Sequence, residues 1–175
     1  MSLISNLNQK SRAVFSRFIK LEQYVCAVLL IIMTLITFVQ VVLRFIIRRP
    51  YSGAEEITLM ILVWFGYLCM SVDVFTDTHA ALFMVYDKLS GMTKKVFDLF
   101  RHVLLSWFFI MLIKYGMMLT KLNIRKTQAA TGISAGWLYA PLVVGGVIML
   151  VFSLSNLLNT ILKPASEFKK AGGEK

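Results

Sequence analysis

Two adjacent glutamates, Glu55 and Glu56, lie where the basic stretch "RRPYSGA" gives way to a long apolar run. A pair of carboxylates held in a closed site can act as a general acid and base, or can couple transport to an ion. The same pair can also open a membrane helix, because the helix macrodipole favours negative charge in the first turn. The composition and the elements around the pair decide between these two interpretations.

Other residues able to do chemistry are few in this sequence. Cys26 and Cys69 each lie inside an apolar run and form no CxxC motif, which excludes a redox or zinc site of the usual spacing. His79 and His102 fall outside the apolar spans, where solvated histidines are expected, so the histidine pairs of a haem-binding bundle are lacking. Since no nucleophile–base pair and no glycine-rich phosphate loop is present, the sequence predicts a protein that is not an enzyme and binds no cofactor or metal.

The composition indicates that the solvent of this chain is lipid. Of its 175 residues, 58% are hydrophobic and 16% are charged, whereas soluble domains have about 45–50% and about 25%. The net charge of +10 does not indicate nucleic acid, because the basic residues flank apolar runs and form no patch with interleaved aromatic residues. Nucleic acid is therefore excluded as a partner, and membrane lipids are expected.

Four apolar stretches have the length of about 20 residues that a membrane-crossing helix needs. They lack the period-2 alternation of barrel strands and cover residues 24–47, 57–75, 103–119 and 138–162. The predicted fold is an all-α integral membrane protein, with four transmembrane helices and additional interfacial amphipathic helices. Glycines within the spans, at Gly66, Gly145 and Gly146, are expected to permit close helix packing.

Amphipathic and polar segments flank the predicted transmembrane domain, which extends over residues 24–162. Residues 1–23 mix basic and apolar side chains, which is typical of a short helix on an anionic cytoplasmic membrane face. A second interfacial helix is expected at about 78–90, because its apolar residues recur at i, i+3, i+4 and i+7. Residues 163–175 form a predicted cytoplasmic tail.

The basic residues predict that both termini lie on the inner side of the membrane. In this orientation the 19 basic residues divide 12 to 7 in favour of the inner side, as the positive-inside rule requires. The outer seven are Arg44, Arg48, Arg49, Lys114, Lys121, Arg125 and Lys126. Glu55 and Glu56 then lie at the outer face, which is the periplasm in a bacterial cell.

Three charged residues inside the predicted spans are functional hypotheses by default. Arg44 and Lys114 lie near outer ends and Asp73 near an inner end, so all three can reach a headgroup layer. A hairpin of the first two spans brings Arg44 to the depth of the glutamates, which predicts either an ion pair within the hairpin or a contact with a partner. No span carries the central carboxylate that a self-sufficient carrier normally uses for its ion.

The stretch "VVLRFIIRRPYSGAEEITLMILVWFGYL" resembles the small permease subunit of tripartite ATP-independent periplasmic (TRAP) transporters, the DctQ-like family. Two later stretches resemble the same family, "THAALFMVYDKL" and "GWLYAPLVVGG". The sequence departs from the family where "SGA" precedes the glutamates in place of a tryptophan, and where "SAG" stands in place of a proline before the fourth span. The matching positions are Arg44, Pro50, Glu55, Glu56, Trp64, Gly66, His79, Asp87, Trp137, Tyr139 and Pro141.

The resemblance implies a scaffold subunit in the bacterial inner membrane. Its expected partners are a large TRAP permease subunit of about twelve spans, which moves as an elevator, and a periplasmic substrate-binding protein. The transport is expected to be sodium-driven uptake of organic acids, with sialic acid and C4-dicarboxylates among the open substrates. The residues expected at the subunit interface or in a structural ion pair are Arg44, Glu55, Glu56, Trp64, Gly66 and Asp73. The residues expected to help dock the binding protein are Arg48, Arg49, Tyr51, Ser52, Arg125, Lys126 and Trp137.

Two alternatives of other classes remain open at the level of sequence. One is an oligomeric ion-coupled carrier or channel formed by this chain alone. The other is a membrane anchor subunit of an unrelated complex. A large polytopic subunit that stays bound to the chain would favour the scaffold, and transport by the purified chain alone would favour the carrier.

Overall fold

A computed structural model describes residues 2–48, 52–76 and 92–162, and these residues form four α-helices. Helix α1 covers Ser2–Val42 and continues into a π-helical turn at Leu43–Ile47. The other helices are α2 (Ser52–Thr76), α3 (Met92–Asn123) and α4 (Gly136–Leu162). Several features named in the sequence analysis lie outside the described residues. They are Arg49, Pro50 and Tyr51, the segment predicted at about 78–90 with His79 and Asp87, and the tail at 163–175.

All four helices are long and apolar enough to cross a membrane, which confirms the all-α membrane fold. Their apolar segments are Ser16–Ile46, Ser52–Thr76, Lys95–Asn123 and Gly136–Leu162. All four extend beyond the predicted spans at one or both ends. The extension is clearest in α3, because a run of apolar residues stops at charged side chains whereas helical hydrogen bonding continues through them. A bundle that crosses the membrane four times begins and ends on the same side. That this side is the inner one stays a prediction from the basic residues.

Helix α1 runs without a break across the predicted boundary between residues 23 and 24. No glycine or proline interrupts the chain between Ser2 and Val42, so nothing in the sequence ends the helix before the span begins. The helix ends at Arg48, which adopts a left-handed conformation with φ 56° two residues before Pro50. The location of the first 23 residues on an anionic membrane face stays a prediction.

The helices pack in the spatial order α1, α2, α4, α3. Helix α4 lies between α2 and α3, because Gly145 and Gly146 remove side-chain bulk on opposite flanks. A Cβ at Gly145 would lie 2.9 Å from Tyr67 Cβ on α2, and one at Gly146 would lie 2.9 Å from Ile113 Cγ1 on α3. The packing prediction is therefore confirmed for these two glycines. Gly66 makes no such close approach within the described residues, because a Cβ there would meet no atom within 4 Å, and its packing against another subunit stays a prediction.

The connections from α1 to α2 and from α3 to α4 share one end of the bundle, which we call the outer end after the predicted orientation. A buried apolar cluster extends from the middle of the bundle toward the opposite, inner end and includes Phe152, Met149 and Val74. The Phe152 ring makes edge contacts with Phe75, at 5.3 Å between centroids, and with Phe18, at 6.3 Å. These contacts bring the inner parts of α1, α2 and α4 together around one aromatic side chain.

Candidate functional site

The two glutamates at the start of α2 bind different neighbours. Glu55 lies in the first turn, and its Oε1 accepts a hydrogen bond from Gln40 Nε2 of α1 at 3.0 Å. Successive residues of a helix point about 100° apart, so Glu56 faces away from α1. Glu55 therefore links α1 to α2, and Glu56 is free to bind the connection between α3 and α4.

Glu56 accepts three hydrogen bonds from the connection between α3 and α4. Its Oε1 accepts from the backbone N–H of Ala130 at 3.0 Å. Its Oε2 accepts from the backbone N–H of Thr131 at 2.9 Å and from Thr131 Oγ1 at 2.8 Å. Hydrogen bonds to a charged acceptor are roughly twice as strong as those between neutral groups. The carboxylate of Glu56 thus fixes a segment that is 74 residues away in the chain.

The connection at residues 124–135, which we call the outer loop, is itself an ordered hairpin. Thr127 and Ser134 form an antiparallel bridge, with Gln128 N donating to Ile133 O at 2.9 Å and Ala135 N donating to Lys126 O at 2.7 Å. Gly132 adopts φ 70° at the turn, a conformation that glycine tolerates best. The chain reverses direction within a few residues because the glycine and the backbone ladder allow it.

Ser134 closes the neck of the outer loop and begins α4. Its Oγ donates to the carbonyl of Ile124 at 2.6 Å and accepts from the N–H of Gly136 at 3.2 Å. The first N–H groups of a helix have no carbonyl partner within the helix. A serine oxygen that accepts from one of them supplies the missing acceptor. The outer loop is therefore fixed at its neck by Ser134 and at its tip by Glu56.

Trp64 forms a third link, from the middle of α2 to the outer end of α4. Its indole Nε1 donates to the carbonyl of Trp137 at 3.2 Å, which joins α2 to the first turn of α4. The Trp64 indole is therefore hydrogen-bonded within its own chain. The Trp137 side chain, in contrast, is 58% exposed. The structure brings Glu55, Glu56 and Trp64 into one series of contacts along α2.

Arg44 does not join this series. It lies exposed in the π-helical turn, and the described residues contain no ion pair between Arg44 and either glutamate. Gln40 and the outer loop instead supply neutral donors to the two carboxylates. A contact of Arg44 with a partner stays a prediction, as does one for Asp73, which is exposed near the inner end of α2.

The residues predicted to dock a partner lie at the outer end where the structure describes them. Arg125 and Lys126 are exposed in the outer loop, next to the exposed Trp137 at the start of α4. Arg48 and Ser52 are exposed on either side of the connection between α1 and α2. Glu56 joins the start of α2 to the outer loop, so both groups belong to one end of the molecule.

Polar contacts at the inner end were not anticipated from the sequence. Ser71 Oγ, on α2, is hydrogen-bonded to Glu22 Oε1, on α1, and both residues are buried. Asn156 Nδ2, on α4, donates to the carbonyl of Val74, on α2, at 2.9 Å. Ser106, on α3, lies within 3.0 Å of Ser153, on α4, between their hydroxyl oxygens. The sequence carries one signal for the α4 contacts, since Ser153, Asn156 and Thr160 recur at helical spacing.

His102 is a correction to the sequence-based expectation. It was expected as a solvated side chain, and it is buried at 2% relative exposure, one turn before Ser106 in α3. Asp98 and Arg101 form an ion pair at 3.3 Å on the preceding turn. The third span was predicted to begin at residue 103, after these polar residues. Helix α3 instead includes them, and an ion pair lowers the cost of burying their charges.

A mostly apolar groove lies between α1 and α2. Its volume is about 480 Å³, and its lining includes Phe38, Leu62 and two threonines of α1. Thr34 and Thr37 donate their hydroxyls to carbonyls of their own helix, at 2.8 and 2.9 Å. Within the described ranges, no three His, Cys, Asp or Glu residues cluster in a way that could hold a metal ion. In the part of the chain that the structure describes, the polar contacts join helices to one another and to the outer loop.

Comparison with known proteins gives two findings. The family model described as "Tripartite ATP-independent periplasmic transporters, DctQ component" matches residues 33–163. A protein of Haemophilus influenzae, named as a TRAP transporter small permease protein, is 20% identical over 142 residues, which cover 81% of this chain and 88% of the relative. The matched range includes both glutamates, Trp64 and the whole outer loop.

Proposed function

Because the chain belongs to the DctQ component family of the tripartite ATP-independent periplasmic transporters, we propose that it is the small membrane subunit that supports the large permease subunit. As a member of that family it is a multi-pass membrane protein of a transport system. In the proposed role it packs beside the large subunit and widens the stationary part against which the elevator moves. Transport is driven by a sodium gradient and takes up organic acids across the bacterial inner membrane.

The use of the polar side chains supports the scaffold role. The contacts of Glu22, Glu55, Glu56 and Trp64 each join two elements of the chain. A carrier needs groups that bind an ion in one state and release it in another. Carboxylates that hold neighbouring helices and loops together suit a rigid body, so the substrate and ion contacts are assigned to the large subunit.

The exposed apolar surface supports a partner within the membrane. Helix α1 packs mainly against α2. In the most apolar stretch of α1, only 6% of the residues are buried. Lipid tails cover such a face without a penalty, and a second membrane protein packs on it through shape complementarity. We assign the large permease subunit to part of this surface, and the periplasmic substrate-binding protein to the outer end.

Affinity purification from native membranes tests this proposal. The tagged chain is extracted in mild detergent, and the proteins that stay bound are identified and quantified by mass spectrometry. The expected result is one large polytopic subunit at near-equal amount. A chain recovered alone, or only with copies of itself, would show that the scaffold assignment is wrong, and sodium-dependent uptake by vesicles that contain this chain alone would favour the carrier.

A further inference from the structure

We propose that Glu22 is a proton-binding site between α1 and α2: it is held there as a neutral carboxylic acid, and loss of its proton loosens the inner part of α1, residues 16–30. The ligand of this site is a single proton. The inference concerns contacts within this chain, so it does not rest on the proposed function.

The hydroxyl of Ser71 has more neighbours than protons. Its Oγ lies 2.7 Å from the carbonyl oxygen of Leu68, a distance typical of an O–H···O hydrogen bond, and it also contacts Glu22 Oε1. A carbonyl and an ionised carboxylate can only accept, whereas a serine hydroxyl carries one proton. Two hydrogen bonds therefore need a second proton, and a protonated Glu22 supplies it. Glu22 then donates to Ser71 Oγ, and Ser71 donates to the carbonyl of Leu68.

The burial of Glu22 leads to the same assignment. The residue is 5% exposed, and its second carboxyl oxygen, Oε2, is buried without a hydrogen-bond partner. Among the described residues the ion pair is that of Arg101 with Asp98, which lies on α3. A carboxylate that is buried without a cation is costly, and such a group is neutralised by a proton instead.

The groups around the contact supply no positive charge to Glu22. The titratable side chains of α1 and α2 within about two turns of it are Arg17, Lys20, Tyr24, Cys26, Tyr67, Cys69 and Asp73. The two cations of this set are exposed on α1, and Asp73 is exposed and itself acidic. Thiols and phenols carry no positive charge. Helix α4 reaches α1 through Phe152, and its inner half has no titratable residue.

A negative charge on Glu22 would act on the surface that holds α1. In the described part of α1 the buried residues are Ile19, Glu22 and Cys26, which recur at i, i+3 and i+7 and so lie on one face of the helix. Loss of the proton would place an unpaired charge in the middle of this face and remove the donor to Ser71. The inner part of α1 is then expected to loosen, while α2, α3 and α4 stay packed through Gly145 and Gly146.

Infrared spectroscopy tests the proton directly. Difference spectra compare the wild type with Glu22→Gln at neutral pH, in dodecyl maltoside because this detergent has no carbonyl group. We expect the wild type to show the carbonyl stretch of a protonated carboxylic acid, which Glu22→Gln lacks. Glu55→Gln is the matched control and should lose only a carboxylate band, because Glu55 is exposed and accepts from Gln40. A difference confined to carboxylate bands for Glu22→Gln as well would overturn the proposal.

The pH dependence of unfolding tests the link between the proton and the fold. The folded chain keeps a proton that the unfolded chain releases above about pH 4.3, where glutamate ordinarily ionises. Stability therefore falls as the pH rises, and one retained proton changes the unfolding equilibrium by up to about tenfold per pH unit. We expect this fall in the wild type relative to Glu22→Gln, which is neutral at every pH. Parallel curves for the two proteins would show that Glu22 retains no proton on folding, and the proposal would be wrong.

Hydrogen–deuterium exchange locates the change within the molecule. At alkaline pH, peptides from residues 16–30 should exchange faster in the wild type than in Glu22→Gln at the same pH, and peptides from α3 should exchange equally. At neutral pH the two proteins should agree in both regions. Equal exchange at alkaline pH, or faster exchange in every helix, would contradict the local loosening. If Glu22→Gln does not fold, Glu22→Leu takes its place in all three measurements, because it keeps the bulk and carries no titratable group.

Discussion

The outer and inner ends of the molecule join the same helices by different means. At the outer end, the side chains of Glu55, Glu56 and Trp64 reach across to neighbouring elements, and much of their surroundings is exposed. At the inner end, Phe152 and the hydroxyls of Ser71 and Ser153 are almost completely buried. Buried contacts gain from packing and from a low dielectric, whereas exposed ones compete with water. The inner end is therefore expected to carry most of the stability, and the outer end to shape a surface.

Phe152→Ala should have the largest effect on stability. The ring is 2% exposed and contacts aromatic side chains of α1 and α2, so its removal leaves a cavity among three helices. We expect a loss of about 3 kcal/mol in the free energy of unfolding, measured by denaturation in detergent micelles. Phe100→Ala is the matched control, because Phe100 is 65% exposed. Equal losses from the two variants would contradict the concentration of stability at the inner end.

Gly145→Ala should have the next largest effect, because its Cβ would lie 2.9 Å from Tyr67 Cβ and force α2 and α4 apart. We expect a loss of about 1–3 kcal/mol in thermal or chemical unfolding of the isolated chain. Gly66→Ala is the control and should not lower stability, since its Cβ meets open space. The same control tests a second prediction: if Gly66 lies at the interface with the large subunit, Gly66→Leu should reduce recovery of the complex without destabilising the isolated chain.

Ser71→Ala should cost less, on the order of 1–2 kcal/mol, because it removes the hydroxyl that is hydrogen-bonded to Glu22 inside the bundle. The same denaturation assay measures the change. Thr76→Ala on the same helix is the control, because the Thr76 hydroxyl donates to a carbonyl of its own helix and the side chain is exposed. A loss for Ser71→Ala no larger than that for Thr76→Ala would mean that the buried contact adds nothing to inner-end stability.

Trp64→Phe should have the smallest effect in this series, about 0.5–1 kcal/mol. It keeps one aromatic ring, and it removes the hydrogen bond from Nε1 to the carbonyl of Trp137 together with part of the indole's packing surface. Unfolding measured by circular dichroism avoids the change in fluorescence that loss of a tryptophan causes. A loss as large as that of Phe152→Ala would show that the outer end is a stability centre as well, and would remove the contrast between the two ends.

The outer glutamates show where sequence-based prediction reached and where it stopped. The sequence placed Glu55 and Glu56 at the start of the second span, and the structure confirms that position. The sequence predicted either an ion pair with Arg44 or a contact with a partner subunit, whereas within the chain the glutamates bind Gln40 and the outer loop. Charge and proximity suggested the arginine, but the direction of each side chain depends on its angular position on α2 and on which helix lies opposite.

Apolar runs and flanking charges were sufficient to determine that this chain is a four-span helical membrane protein, and an ordered set of motifs indicated its family. Each of these properties depends on residues that are close together in the chain, or on the total composition. Tertiary structure decided the order α1, α2, α4, α3, the burial of His102 and Glu22, and the binding of the outer loop by Glu56. Those properties depend on pairs of residues 47 to 75 positions apart in the chain, which only the packing of the helices brings together.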